Sequence, residues 1–592
     1  MTTSTTSASR VDDRGALVFE PETRTTYFPN TVDRNDAEVV TVTAGEERAG
    51  IDIAVPGDQS GGESFGMMMG RPQTATTAGN GVIRGRVSAS DGRPLARARV
   101  LLMADRDPFP RQSTPTDGRG QFEFTALAAG SYRVVATKPG FAAPDAMNDP
   151  QPLFAFLRAG STIAVRDGDT QNVDLTLSRL GTIAGSVVDE FGDPMIGANV
   201  QLLHVEYKGG RRRLVGAGAA RPTDDRGRYR LFNVPPGQYV VSASVGSVNG
   251  IDLAGYARSY FPGSPDASGA QFVSVAVSQD IPGIDFSMTP VKTARVAGKL
   301  LSASGDVTMG GTVQLRPASS SIDGVAANAR IDRDGGFEFP NTAPGQYIIY
   351  VDKGRSNPAR EGEFAAMPIA VAGSDVSGLT VQLSSGSTIA GRVTFDTTDR
   401  SNIPAMGRIV ISPVPVDVDL APQSPASISP EADGTFRMSG INGARRIMAT
   451  SLPSNWAVKE VRVNGIDATD RPLTFGRAEQ SLSDVEVVLT DRVNVVKGTA
   501  DGSRVLLFAT DRGRWYPSSR FLRITTVAAD GSFSFSAVPD GSYYVASATR
   551  LPADGDDGWQ DPAFLETLMR NADTVTIAGG ATRTLSTPLR AQ

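Results

Sequence analysis

The sequence predicts an all-β protein, tandem Greek-key β-sandwiches arranged as beads on a string, and three observations carry that reading. A hairpin unit recurs five times, a glycine-marked strand recurs about every hundred residues, and helical periodicity is nearly absent from the 592 residues.

The clearest hairpin is TDDRGRYRLFNVPPGQYVVSASV, from Thr223. A turn-forming Asp-Arg-Gly leads into Tyr229, Leu231 and Val234. Pro235-Pro236-Gly237 then breaks the strand, and Tyr239, Val241 and Ala243 alternate again. Copies begin at Thr116, Ile331, Glu431 and Ala528. Asp-Gly at Asp117-Gly118, Asp334-Gly335, Asp433-Gly434 and Asp530-Gly531 is expected to supply the positive φ of a tight connection. Phe122 and Phe124, Phe337 and Phe339, and Phe533 and Phe535 lie two residues apart and so face one core. Tyr132, Tyr239, Tyr347 and Tyr543 follow the second turn in the manner of tyrosine corners, whereas the fourth copy has Arg445 there, so its corner must be built differently.

Each unit opens on a strand marked by Gly85, Gly185, Gly298, Gly391 or Gly498, spaced 100, 113, 93 and 107 residues apart. Such a glycine signals a bulge or a close backbone approach. The closing strands read VDLTL, IDFSM, LTVQL and VEVVL. The expected division is a partial sandwich over 1–56, a flexible linker over 57–80, and sandwiches over 81–178, 179–290, 291–385, 386–490 and 491–592. The partial sandwich is inferred because Thr25–Val55 matches Ala257–Met288, which closes a full unit, so an upstream portion is expected. A single helix is expected near 561–572, with Asp561 as its cap and Pro562 in its first turn. Short junctions predict sandwiches in line.

The pattern GTIAGSVVDEFGDPMIGANVQLL followed by TDDRGRYRLFNVPPGQYVV resembles the carboxypeptidase regulatory-like domain, a transthyretin-like β-sandwich repeated in exported bacterial proteins. The resemblance implies a non-catalytic module related to carbohydrate-binding-like folds and found outside the cytoplasm. An extracytoplasmic location is expected on that ground, although MTTSTTSASR has neither the charged start nor the apolar centre of a signal peptide.

Composition narrows the chemistry. Fifty-eight basic residues against 64 acidic ones, a net charge of −6, provide no basic field for nucleic acid. No cysteine is present, which removes disulfides, thiolate metal sites and a cysteine nucleophile. No apolar run approaches the ~18 residues of a membrane-spanning helix. One histidine, His204, cannot build a zinc peptidase site, which needs three protein ligands. Gly62-Glu63-Ser64-Phe65-Gly66 fits a nucleophile elbow but lacks the flanking strand and helix. Asp332 and Asp334 suggest calcium, yet Phe337 stands where an EF-hand loop needs glycine, and turn chemistry explains these acids better. No acidic pair has a distinctive glycosidase context. No catalytic residue, metal site or cofactor is therefore expected.

Binding is the remaining alternative, as an array of carbohydrate-binding modules with exposed aromatic platforms. The candidates are Trp515, Tyr516 and Trp456, with Trp559 and Tyr260-Phe261 behind them. Core or interdomain packing is the plainer reading for each ring. The expected role is a scaffold or binding stalk, with a polysaccharide or a cell-surface protein as partner. Activity as a hydrolase accessory is the remotest option.

Overall fold

The computed structural model describes residues 2–11, 17–26, 28–29, 31, 33–41, 79–104, 110–144, 161–245, 255–318, 326–355, 357–422, 425–552, 557–586 and 588–590. It comprises two compact units, one of Met1–Gly81 with Ala126–Ala129 and Arg166–Gly168, the other of Val82–Thr125, Gly130–Val165 and Asp169–Gln592. In the smaller unit, Thr2–Val11 pairs antiparallel with Leu17–Thr26. Most of the expected linker and the Gly62–Gly66 motif lie outside the described residues.

The larger unit holds tandem β-sandwiches, each with a mixed sheet facing an antiparallel one. In the first, the mixed sheet runs Gln121–Leu127, Gly81–Ala89, Thr170–Arg179, Phe141–Ala142 and faces Pro110–Pro115, Arg99–Ala104, Gly130–Thr137, Ser161–Val165. The same plan recurs from Gly181, Ala294, Ser387 and Asn494. In every copy the opening strand pairs antiparallel with the first hairpin strand and parallel with a closing strand, as Ala294–Leu301 does with Gly336–Thr342 and Val376–Gln382. First and last strands lie side by side, which closes each module on itself.

That parallel pairing explains the marker glycine. A Cβ on Gly85 would lie 1.7 Å from the carbonyl oxygen of Val173, and one on Gly391 would lie 1.9 Å from that of Val485. The closing strand presses on the opening strand there, so only hydrogen fits.

The hairpin turns hold one correction. Gly335, Gly434 and Gly531 do have positive φ, but in the first copy the left-handed residue is Gly120 (φ 76°), not Gly118, and in the second it is Gly227 (φ 68°). The turn is counted from the residue three before that glycine, whose carbonyl accepts its N–H, as Asp117 accepts from Gly120 at 3.0 Å. The Asp117 carboxylate also accepts from the N–H groups of Arg119 and Gln121, and Asp332 does the same for Asp334 and Gly336. These acids cap turns, as their positions predicted.

The inward faces are as expected. Phe122, Phe124, Phe337, Phe339, Phe533 and Phe535 are buried, and each pair meets edge to face at 5.9 Å between ring centroids. The fifth sandwich adds a second layer, because the helix Pro562–Met569 packs over the outer face of its antiparallel sheet with Leu565 and Leu568 against Leu506 and Phe508. Asp561 caps the helix by accepting from Ala563 N at 2.9 Å.

Candidate functional site

Directed charged contacts join one sandwich to another at several places. In the second sandwich the strand Asn199–Lys208 has 10 residues, whereas its counterparts Arg99–Ala104, Thr312–Pro317, Val410–Pro415 and Arg504–Ala509 have six. The four extra residues extend it by about 13 Å. The overhang turns at Gly209-Gly210, both left-handed (φ 59° and 85°), into Arg211–Gly216. A Cβ on Gly209 would lie 2.8 Å from Val418, and one on Gly210 would lie 2.6 Å from Pro517. The tip is thus wedged between the fourth and fifth sandwiches.

Strand alternation then distributes three consecutive arginines. Arg211 and Arg213 share a face and reach Asp417 and Asp419, the latter through two bonds of 2.9 and 2.7 Å. Arg212 points the other way, and its Nε donates to Asp561 at 2.5 Å. Asp561 therefore caps its own helix with one oxygen and receives the second sandwich with the other. Tyr207 sits at the same joint, its hydroxyl pushed up to about 12 by burial and by the charges of Asp561 and Asp557. The in-line arrangement expected from short junctions does not hold within this unit, because a long hairpin brings the second sandwich onto the fourth and fifth.

The third and fourth sandwiches are joined by Glu361 and Arg445, both 0% exposed and 2.9 Å apart. Arg445 also donates to the carbonyls of Asn442 (2.7 Å) and Pro413 (3.1 Å), and Glu361 accepts from Ala426 N at 2.9 Å. Burial pushes the Glu361 carboxyl above its usual value and the Arg445 guanidinium below its own, each opposed by the other's charge. Nearby, the Tyr350 hydroxyl donates to the Ala421 carbonyl at 3.0 Å across the same joint.

The fourth and fifth sandwiches meet at Asp470 and Arg520, where Nε lies 3.0 Å from both carboxylate oxygens and Nη1 donates to Val458 O at 2.9 Å. A cleft of about 270 Å³ opens beside this pair.

Of the three leading aromatic candidates, Trp515 and Trp456 are buried. Trp515 is 7% exposed, packs beneath the helix layer, and donates its indole N–H to Ala509 O at 2.7 Å. Trp456 is 1% exposed, stands edge to face with Phe395 and donates to Asn402 O at 3.2 Å. Neither offers the free ring face a sugar needs, which corrects the platform expectation for both. Tyr516 is half-buried, with the Arg446 guanidinium 3.9 Å above its ring. Trp559 packs beside the helix, Tyr260 is buried and Phe261 meets Phe286, so the rings do not form one surface. His204 Nε2 pairs with Glu206 at 2.8 Å. Sequence reading missed the joints themselves. A run of three arginines on a strand and an Asp-x-Asp at matching two-residue spacing were the signals available for the clasp.

Comparison with known proteins agrees with the modular reading. A family model described as the carboxypeptidase regulatory-like domain matches two consecutive stretches. Residues 82–178 and 182–250 are similar to that domain. These stretches correspond to the first sandwich and to the larger part of the second, whose motifs carried the resemblance. No curated protein matches the chain. Among solved structures, the Bacillus anthracis TIE protein is 15% identical over 52% of this chain and 51% of its own, with a TM-score of 0.16. A streptococcal ancillary pilin is 14% identical over 51% and 99%, TM-score 0.18. The shaft pilin SpaA from Lactobacillus rhamnosus GG is 13% identical over 36% and 98%, TM-score 0.20. The chain spans about half the length of the first of these.

Proposed function

We propose that the chain is a non-catalytic extracytoplasmic scaffold, a stalk whose sandwiches are clamped together to present a cell-surface protein or polysaccharide partner. The observation that carries this reading is the arginine clasp, in which Arg211, Arg212 and Arg213 of one sandwich bond acids of two others. Directed charges spent on joints give a tandem array stiffness, which is what a support needs. The match to a regulatory-like module supports both the absence of catalysis and the location.

The test is Arg211→Ser together with Arg213→Ser in the full chain. In the wild type the second and fourth sandwiches are expected to share a calorimetric transition, and the variant should split it while each module still melts cooperatively. Identical scans would remove the clamp and with it the argument for a stiff stalk. Saturable retention on a polysaccharide that is lost in Tyr516→Ala would replace this reading with glycan binding.

A further inference from the structure

The cleft between the fourth and fifth sandwiches has a charge it does not balance. Three charged side chains line it, Asp470, Arg520 and Arg523. Asp470 pairs with Arg520. Arg523 is held only by neutral acceptors, with Nε to Arg520 O at 3.3 Å, Nη1 to Ser536 O at 2.8 Å and Nη2 to Ala537 O at 2.7 Å. Among the described residues no carboxylate lies within ion-pair distance of it. Three of its five N–H groups are thereby used, leaving one on each terminal nitrogen.

An unpaired cation in a partly dry site is costly, and a bound anion relieves that cost. Burial pushes the Arg523 guanidinium below its usual range, opposed by the nearby Tyr543 and reinforced by the like charge of Arg520. Besides the hydroxyl side chains Thr450, Ser454, Thr469 and Ser536, the rest of the wall is apolar, with the half-buried Leu452 and Pro539 among its residues. About 270 Å³ is just under the ~300–1,000 Å³ of ordinary ligand pockets, so the occupant is small.

We propose that this cleft binds a small monocarboxylate with an apolar body, its carboxylate on the free N–H groups of Arg523 and its body against Leu452 and Pro539. A monoanion balances the lining charge to zero, whereas phosphate would overshoot it and leave the apolar wall unused. This site is independent of the stalk reading and does not require it.

Isothermal titration of the full chain with benzoate, at constant ionic strength, is the test. One saturable site is expected, with benzamide, which has the same shape but no charge, at least about tenfold weaker. Benzoate should also raise the melting transition of the fifth sandwich where equimolar chloride does not. Arg523→Gln should weaken binding at least about tenfold. In case that variant fails to fold, Ser454→Trp fills the cleft mouth from an exposed position and should abolish binding with the melting profile retained. Equal binding of benzoate and benzamide, binding of inorganic phosphate alone, no saturable heat, or an unaffected Ser454→Trp variant would each overturn the assignment.

Discussion

The second and fourth sandwiches solve the same problem with different side chains. In the second, Tyr239 crosses its hairpin corner and donates its hydroxyl to Pro235 O at 2.9 Å, as Tyr347 does to Ala343 and Tyr543 to Pro539. In the fourth, Arg445 occupies that place, and its Nε bonds Asn442 O at 2.7 Å, so the corner is still tied to its own chain. A phenol has one hydrogen to give. A guanidinium has five, and Arg445 uses the surplus on Pro413 and on Glu361 from the preceding sandwich. The corner has become a joint. A local device that stabilises one module turns into one that fixes two modules together, and the added cost is a charge that must be paired in a dry place.

The largest effect should come from breaking that pair. Glu361→Gln leaves Arg445 buried without its counter-charge and should cost about 3–5 kcal/mol, read as a fall in the melting transition of the fourth sandwich. Replacing both residues, as Glu361→Leu with Arg445→Met, should recover most of that loss. Arg445→Tyr restores the corner of the other copies but strands the carboxylate. Burial then holds the folded pKa of Glu361 above its unfolded value, in the direction already found with Arg445 present. The folded state therefore binds the proton more readily than the unfolded chain. Stability relative to the variant that also carries Glu361→Gln is fully present below about pH 4.3 and is lost as pH rises through the folded pKa. A deficit that does not grow from acid to neutral pH would mean the carboxylate has found water, and that the joint is looser than its 0% exposure implies.

What could be read in advance follows the same division between local and long-range. The hairpins, the inward Phe337 and Phe339, the capping Asp561 and the glycine-marked strands depend on neighbours within a few residues or on period-two alternation, and they were legible. The parallel pairing behind Gly85 was legible only as a close approach, since the identity of the approaching strand lies about ninety residues away. Arg445 departs visibly from the repeat, but its partner sits 84 positions earlier in a stretch with no motif. The arginine clasp spans 206 residues to Asp419 and 349 to Asp561, and no local spacing encodes such distances. Trp515 and Trp456 were ambiguous for a related reason, because aromatic residues in turn-rich segments serve equally as exposed platforms or as plugs under a second layer.

A smaller effect separates the two roles of Asp561. Asp561→Ala removes both the helix cap and the acceptor for Arg212, whereas Asp561→Ser keeps a capping oxygen and loses the charge. The alanine variant should destabilise the fifth sandwich by about 1 kcal/mol more than the serine variant. Both should loosen the second sandwich equally, measured as faster amide exchange in Tyr207–Arg213. Equal melting of the two variants would assign the whole effect to the joint.

The smallest effect sharpens the comparison from the other side. Tyr239→Phe deletes one hydroxyl and leaves the ring, which is buried in the core of the second sandwich. Its loss should cost about 1 kcal/mol, the net worth of one neutral hydrogen bond, and should lower only the transition containing that sandwich. The hydroxyl itself is pushed up to about 12 by burial, so it stays protonated and the cost should not vary between pH 5 and pH 9, about three units below its titration. That flat profile contrasts with the slope expected for the stranded Glu361. A loss at Tyr239 as large as the loss at Glu361, or one that spreads to the third sandwich, would mean that the tyrosine corner also reaches beyond its own module, and the distinction between corner and joint would fail.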